Sequence, residues 1–436
     1  MVNQIIKAST VTGFPEYLPA ERLLEQQMLD KVRAVFESHG FCSIETPIVE
    51  KLEILLSKSA DTNKEMYVLG RLQADGLEEA KMGLRYDLTV PFARYVATHE
   101  NELTFPFKRY QIQPCWRGER PKLGRYRQFK QCDIDIVARE KLAPEYDAFI
   151  PAVVCEAWNA IGFTNIELHI SNRKILSGFA IGLGIEKVGE TLRVLDKLAK
   201  IGEEGIKEML AELGLTEKQI NSCLKMATIS TKDLTFADQV RVLGVQNEEL
   251  ELGLNELTEC LKLFQTFSKT PYVADMSLVR GFDYYTGATY EIQLTGSDFH
   301  EALGGGGRYD NLASAMTKSH LPGVGMSMGI SRAIGVGLKL GLLKADQKTA
   351  TQVLIVNVDK ADKSKMIETA KILRERGIKA EMYLEGGKLA KQLKYANDKG
   401  IPYVWFDIDS TVRDMTSGDQ VSADAKTWVP QKNFEI

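Results

Sequence analysis

Hydrophobic positions recur every three or four residues over 19–38, where Leu24, Met28, Val32 and Val35 fall on one helical face and Gly40 follows as a stop. The next stretch, CSIETPIVE, is extended in character and has Pro47 inside it. Proline has no N–H to give to a ladder, so this segment suits a sheet edge or a crossover better than a central strand. Residues 82–137 are rich in β-branched and aromatic side chains with basic interruptions, which predicts antiparallel strands joined by turns. A helix is expected over 147–161, before Gly162, and NIELHIS then alternates apolar and polar residues as a strand does.

Over 172–265 the pattern becomes charged, leucine-rich and helical in period, with glycine stops at Gly184, Gly202 and Gly214. From 270 it turns β-like again and runs through a glycine cluster to 345. The tail has another rhythm. VLIVNV reads as a buried strand, 363–376 as an amphipathic helix ended by Gly377, and IKAEMYL as a second strand. KLAKQLKYANDKG is a second helix and IPYVWFDI a third strand, an alternation that implies parallel βαβ units. The expected fold is therefore an α+β core with a mixed, mainly antiparallel sheet, in two parts (1–171 and 266–345). A helical insertion (172–265) separates them, and an α/β domain occupies 350–436.

Composition narrows the class. With 436 residues the chain exceeds one ordinary domain, and 44% hydrophobic against 26% charged residues is the balance of a globular protein. No apolar run reaches the length needed to span a bilayer, and the N-terminus has neither a basic start nor a long apolar stretch, so a cytoplasmic location with no membrane partner is expected. The six cysteines (Cys42, Cys115, Cys132, Cys155, Cys223 and Cys260) are scattered without a C-x-x-C pair and are expected to be buried thiols. Neither they nor the histidines stand at zinc-ligand spacing, so no protein-held metal is expected. A net charge of −4 does not fit a protein that coats nucleic acid, and any RNA must be met by local basic faces.

One segment concentrates chemistry. WRGERPKLGRYRQFKQCDIDIV, residues 116–137, carries Arg117, Arg120, Lys122, Arg125, Arg127 and Lys130 against the single acid Glu119 between Arg117 and Lys130. Such a stretch can be a solvated basic hairpin. Here Tyr126 and Phe129 are interleaved, and arginines that fork onto phosphate beside an aromatic face suit a nucleotide triphosphate, an RNA end, or both. Asp87 and Asp135 sit inside apolar strand-like text (LRYDLTV, CDIDIV), which favours burial beside a cationic ligand over a surface role. The four glycines 304–307 read as a strand whose missing side chains leave room for a ligand.

This basic segment resembles motif 2 of class II aminoacyl-tRNA synthetases, and in its extended form that of the histidyl-tRNA synthetases. LRYDLTVPFARYVA resembles that family's histidine-binding strand and loop, and LVRGFDYYTGATYEI and GGGGRYDNL resemble its two signatures. GFCSIETPIVE is similar to motif 1 and GVGMSMGISR to motif 3, while the class I signatures HIGH and KMSKS are absent.

The resemblance implies a class II catalytic body, an anticodon-binding tail, and a homodimer formed at the motif 1 region around Pro47. It implies activation of L-histidine by ATP with Mg²⁺, no zinc, and transfer to tRNA(His). On the matching positions, Arg117 and Arg280 would act on the reacting carboxylate and α-phosphate. Asp87, Thr89 and Gln131 would hold the substrate ammonium, and Asp135 with Tyr284 and Tyr285 the imidazole side. Glu119, Arg125, Phe129 and Arg332, with Arg117, would bind ATP, and Arg120 and Lys122 the tRNA acceptor end. Ser331 stands where the family usually has a glutamate before the motif 3 arginine.

Two alternatives are kept. One is a class II synthetase for another amino acid. The other is the inert paralogue that serves as regulatory subunit of ATP phosphoribosyltransferase, which tends to lose the arginines and the tail that this chain retains.

Overall fold

The computed structural model describes residues 7–57, 62–71, 81–279, 285–358, 362–385 and 387–431. Among them the chain begins with α1 (Pro19–Ser38), β1 (Cys42–Ser43), β2 (Val49–Lys51), α2 (Leu52–Leu56), β3 (Val68–Leu69) and β4 (Met82–Leu84). α3 (Thr89–Thr98) precedes the long strands β5 (Phe107–Trp116) and β6 (Gln128–Val137), then α4 (Tyr146–Ala160) and β7 (Ile166–Asn172). The helical run is α5 (Arg173–Gly182), α6 (Val188–Leu195), α7 (Leu198–Glu212) and α8 (Glu217–Ala227), then the short β8 (Ser230–Thr231), α9 (Phe236–Val242) and α10 (Glu248–Phe267). β9 (Tyr272–Asp275), β10 (Ala288–Leu294), β11 (Gly304–Tyr309), β12 (Gly323–Gly329) and α11 (Ile330–Lys339) follow. The tail holds β13 (Val353–Ile355), α12 (Lys363–Glu375), β14 (Ala380–Met382), α13 (Leu389–Lys399), β15 (Tyr403–Phe406), β16 (Thr411–Asp414) and β17 (Gln420–Ser422).

Residues up to Pro15 together with Leu29–Leu342 make one compact unit, and Glu16–Met28 together with Leu343 onward make a second. In the first unit a nine-stranded sheet runs in the order β1-β5-β6-β12-β11-β10-β7-β9-β8. Its six central strands are antiparallel to their neighbours, while β1 joins β5 and β9 joins β7 in parallel. Cys132, Ile134 and Ile136 alternate along β6 with Gln131, Asp133 and Asp135. The period of two therefore sends apolar side chains to one face and polar ones to the other. α4 packs against β6, β7 and β12, and α10 packs against α4, α5 and β7. Ile134, Ile136, Leu168, Ile170, Ile292, Val324 and Met328 are fully buried. Each such side chain contributes about 1.5–3 kcal/mol relative to exposure.

The stretch around Pro47 is a crossover, as its sequence predicts. β1 ends the large sheet, whereas β2 belongs to a separate three-stranded sheet, β2-β4-β3. The fully buried Arg85 holds the crossing in place. Its Nη1 donates to the carbonyls of Thr46 (2.8 Å) and Pro47 (3.3 Å), and its Nε to that of Pro114 (2.9 Å). One guanidinium thus satisfies carbonyls that an irregular buried segment would otherwise leave unpaired.

Three expectations need correction. Residues 89–98, placed among strands by their β-branched and aromatic content, form the helix α3. The Asp87 carboxylate accepts the Val90 N–H at 3.1 Å, Pro91 sits in the first turn where no donor is needed, and Val90, Ala93 and Val96 face inward. Cys42 is exposed, because β1 is only two residues long and lies at the sheet edge; the other five thiols are buried. The tail sheet, β14-β13-β15-β16-β17, is parallel only across β14, β13 and β15, since β16 and β17 add an antiparallel hairpin at one edge. Within the helical run, Gly184, Gly202 and Gly214 all take positive φ, as stops require, and Gly202 interrupts α7. Among the described residues no helix is long and apolar enough to cross a membrane.

Candidate active site

The polar face of β6 looks into a cavity closed by β11, β12 and the segment between β4 and α3. Asp87, Thr89, Gln131, Asp135 and Tyr285, which the sequence assigns to the amino acid, all line it. So do Arg117, Glu119, Arg125, Phe129 and Arg332, assigned to the nucleotide. Arg120 is exposed and does not line it, and Lys122 pairs with Glu301 at 2.6 Å. Arg280 and Tyr284 lie outside the described residues.

One end is acidic. Asp135 stands directly across the β5–β6 ladder from the fully buried Arg109, whose Nη2 is 2.6 Å from its Oδ2. Arg109 also lies over the ring of Phe92 at 4.2 Å. Tyr309 donates its hydroxyl to the other oxygen of Asp135 at 2.6 Å. Burial still pushes Asp135 up to about 7, against the pull of Arg109 and Tyr309. Burial likewise lifts Asp87 to about 6, opposed by the Val90 N–H and Arg117, and it raises Asp133. Three carboxyls that resist ionisation together are relieved by a cation placed among them.

The other end is cationic. Arg117 donates from Nε to the Tyr86 carbonyl at 3.0 Å and lies over Phe129 at 5.0 Å. Arg125 reaches Glu119 at 3.2 Å and Glu301 at 3.3 Å. Arg332 is held by backbone, through Nε to the Gly124 carbonyl at 2.9 Å and through Nη1 to the Ala302 carbonyl. Burial would raise Glu301, but Lys122, Arg125 and Arg332 outweigh it and hold its carboxyl below the usual value. Ser331, in place of the family's glutamate, is buried and accepts the Lys130 N–H at 2.9 Å, tying α11 to the end of β6.

Several residues escaped the sequence reading. Asp133 shares the face of Asp135 two positions on, so the strand period alone could have found it. Tyr309 lay inside the glycine-rich motif. Arg109, Ser327 and Glu301 gave no local signal, because their partners are far away in the chain.

The glycines of 304–307 and 323–325 do line the cavity in part, yet neighbouring protein atoms take much of their space. A Cβ on Gly306 would stand 2.0 Å from the Gly325 carbonyl oxygen, and one on Gly307 would stand 2.6 Å from the Tyr285 ring. On Gly325 it would come within 1.9 Å of Asp135 Oδ1. The absent side chains seat Tyr285 and Asp135.

The chain as a whole is similar to known proteins. A family model described as histidyl-tRNA synthetase matches residues 13–333, and one described as an anticodon binding domain matches 352–426. A histidine–tRNA ligase of Thermobifida fusca is 43% identical over 98% of this chain and 99% of its own length. The crystal structure of histidyl-tRNA synthetase from Nostoc sp. PCC 7120 superposes with a TM-score of 0.85 at 35% identity, covering 97% of this chain and 98% of that one. A Bacillus halodurans structure titled ATP phosphoribosyltransferase regulatory subunit/histidyl-tRNA synthetase shares the fold, with a TM-score of 0.75 at 19% identity over 92% of this chain and 99% of that one. Matched in sequence and fold over nearly its full length, tail included, the chain belongs to the histidyl-tRNA synthetase family.

Proposed function

We propose that the chain activates L-histidine with ATP, giving histidyl-adenylate and pyrophosphate, and then transfers histidine to the 3′ end of tRNA(His). The observation that carries this is the polarity of the cavity, with three buried carboxyls at one end and Arg117, Arg125 and Arg332 at the other. A substrate with an ammonium and an imidazole at one end and a carboxylate reacting with a triphosphate at the other matches that distribution of charge. The carboxylate oxygen attacks the α-phosphorus in line and pyrophosphate leaves, so no general base is required. Positioning and neutralisation of two approaching anions do most of the work. Glu119 and Glu301, the carboxylates paired with Arg125, would be the acidic residues near Mg²⁺ brought in with ATP; such an ion commonly keeps substrate phosphate and water as ligands. Retention of the cavity arginines and of the tail favours an active ligase over a regulatory paralogue.

ATP–pyrophosphate exchange, run with each amino acid in turn, tests the assignment. Histidine alone should drive it, because buried polar groups built for one side chain discriminate by roughly 10⁴ or more against others. Exchange driven equally by proline or threonine would end the proposal. The tail is assigned to the anticodon side of the tRNA. Lys388, just before α13, and Lys391 on it are exposed; Lys394, also exposed, pairs with Asp398 at 3.3 Å, and Lys399 is engaged by Glu381 at 2.9 Å. Lys388→Glu should therefore depress tRNA charging and spare exchange. The site of action is placed in the cytoplasm.

A homodimer is proposed through the three-stranded sheet. Ile48, Val49, Leu56, Val68 and Met82 are exposed on and beside it, an apolar concentration that a second copy would cover. Sedimentation at micromolar concentration should give a dimer, and a stable, fully active monomer would refute this.

A further inference from the structure

Three buried acceptors in the cavity have no partner among the described residues: Asp87 Oδ2, Gln131 Oε1 and Asp133 Oδ1. Their companion atoms are engaged. Asp87 Oδ1 accepts the Val90 N–H, and Gln131 Nε2 donates to Ser327 Oγ at 2.6 Å. Ser327 stands directly opposite Asp133 on β12, and its hydroxyl lowers that carboxyl's affinity for a proton. A serine hydroxyl has one proton to give, and an ionised carboxylate can only accept. With a Ser327 lone pair taking the Gln131 N–H, the hydroxyl proton is left for the facing Asp133 carboxylate. This order fixes the Gln131 amide with its nitrogen toward Ser327 and its oxygen free for the cavity.

We infer that Asp133, rather than Thr89, is the third acceptor of the substrate's α-ammonium beside Asp87 and Gln131, and that Ser327 is the positioning residue that aims two of the three. The inference rests on reading the cavity as the amino-acid activation site. An ammonium offers three N–H donors and no acceptor, which matches the three orphaned oxygens in number and in sense. Buried acceptors without donors are costly, so three in one cavity mark the place of a donor-rich cation. Asp87 and Asp133 also repel each other's charge, and a cation between them removes that penalty.

The test compares ligands with and without the ammonium on the full chain. Asp133→Asn keeps the shape and the acceptor for Ser327 but loses the charge. Affinity for histidine and for histidinol, which retains the ammonium, should fall on the order of 10- to 100-fold. Binding of imidazolepropionate, which lacks the ammonium, should stay within about 3-fold. The melting temperature should hold or rise, because one of the crowded carboxylates is gone. Ser327→Ala should give a smaller loss, roughly 2- to 10-fold, again confined to the ammonium-bearing ligands. If Asp133→Asn fails to fold, Ser327→Ala decides by the same comparison. Equal losses for all three ligands, or no loss for any, would overturn the inference while leaving the activation site intact. Wild-type protein that binds no histidine would instead overturn the underlying reading and this one with it.

Discussion

Arg117→Ala is expected to slow histidyl-adenylate formation by on the order of 10²–10³-fold in single-turnover measurements, while histidine affinity changes far less. The reason lies in when its charge matters. Carboxylate and triphosphate repel each other most strongly as the new oxygen–phosphorus bond forms, so a cation between them acts more on the transition state than on the bound substrate. Arg117 spends Nε on the Tyr86 carbonyl and lies over Phe129, which fixes the plane of the guanidinium and, among the described residues, leaves its two terminal nitrogens for a ligand. That plane is set before substrate arrives, so little is lost in ordering it. Arg117→Lys keeps the charge but loses the fork and the anchoring Nε, and should fall between wild type and alanine. An alanine variant forming adenylate within about 2-fold of the wild-type rate would remove Arg117 from the chemistry.

Asp135→Ala should damage both histidine recognition and the fold. Its removal leaves Arg109, fully buried, without its carboxylate, and an orphaned buried charge of this kind costs about 3–5 kcal/mol. Replacing both partners with apolar residues, as Arg109→Met with Asp135→Leu, should restore most of the melting temperature but none of the histidine-dependent exchange. Stability regained together with activity would show the pair to be structural alone.

The pair also has a pH signature. A folded carboxyl raised to about 7, against about 3.9 unfolded, binds its proton more tightly in the native state. Its contribution to stability is complete below pH 4 and is lost as pH rises through 7. Asp135→Asn should therefore gain on wild type in denaturant titrations as pH increases across that window. A difference that shrinks with rising pH would contradict the assignment.

How much of this could be read from the chain depends on how far apart the partners are. Asp135 drew notice because a carboxylate in CDIDIV contradicts its apolar surroundings, and the structure places it in a buried pair. Arg109 drew none, since FKRYQIQ alone reads as a half-solvated strand. Its role exists only through the register that sets it opposite Asp135, across a loop no local pattern specifies. The same holds for Ser327, which gains meaning only from β12 lying beside β6. α3 shows the opposite failure. Its composition favoured strand, and the helix prevails through the Asp87 carboxylate on its first turn and one buried face. The tail hairpin, rich in aspartate, serine and glycine, carries too little apolar alternation to be seen as two strands.

The second compact unit is assembled from segments made at opposite ends of translation. Gln27 bonds Gln347 at 3.1 Å, 320 positions later. A ribosome adding 5–20 residues per second needs roughly 16–64 s to cover that interval. Throughout that time residues 16–28 have emerged and the rest of their packing surface has not been built. The nascent chain must therefore hold an unfinished surface open for the whole synthesis of the large sheet, and the stretch that leaves the ribosome among the first is among the last to fold.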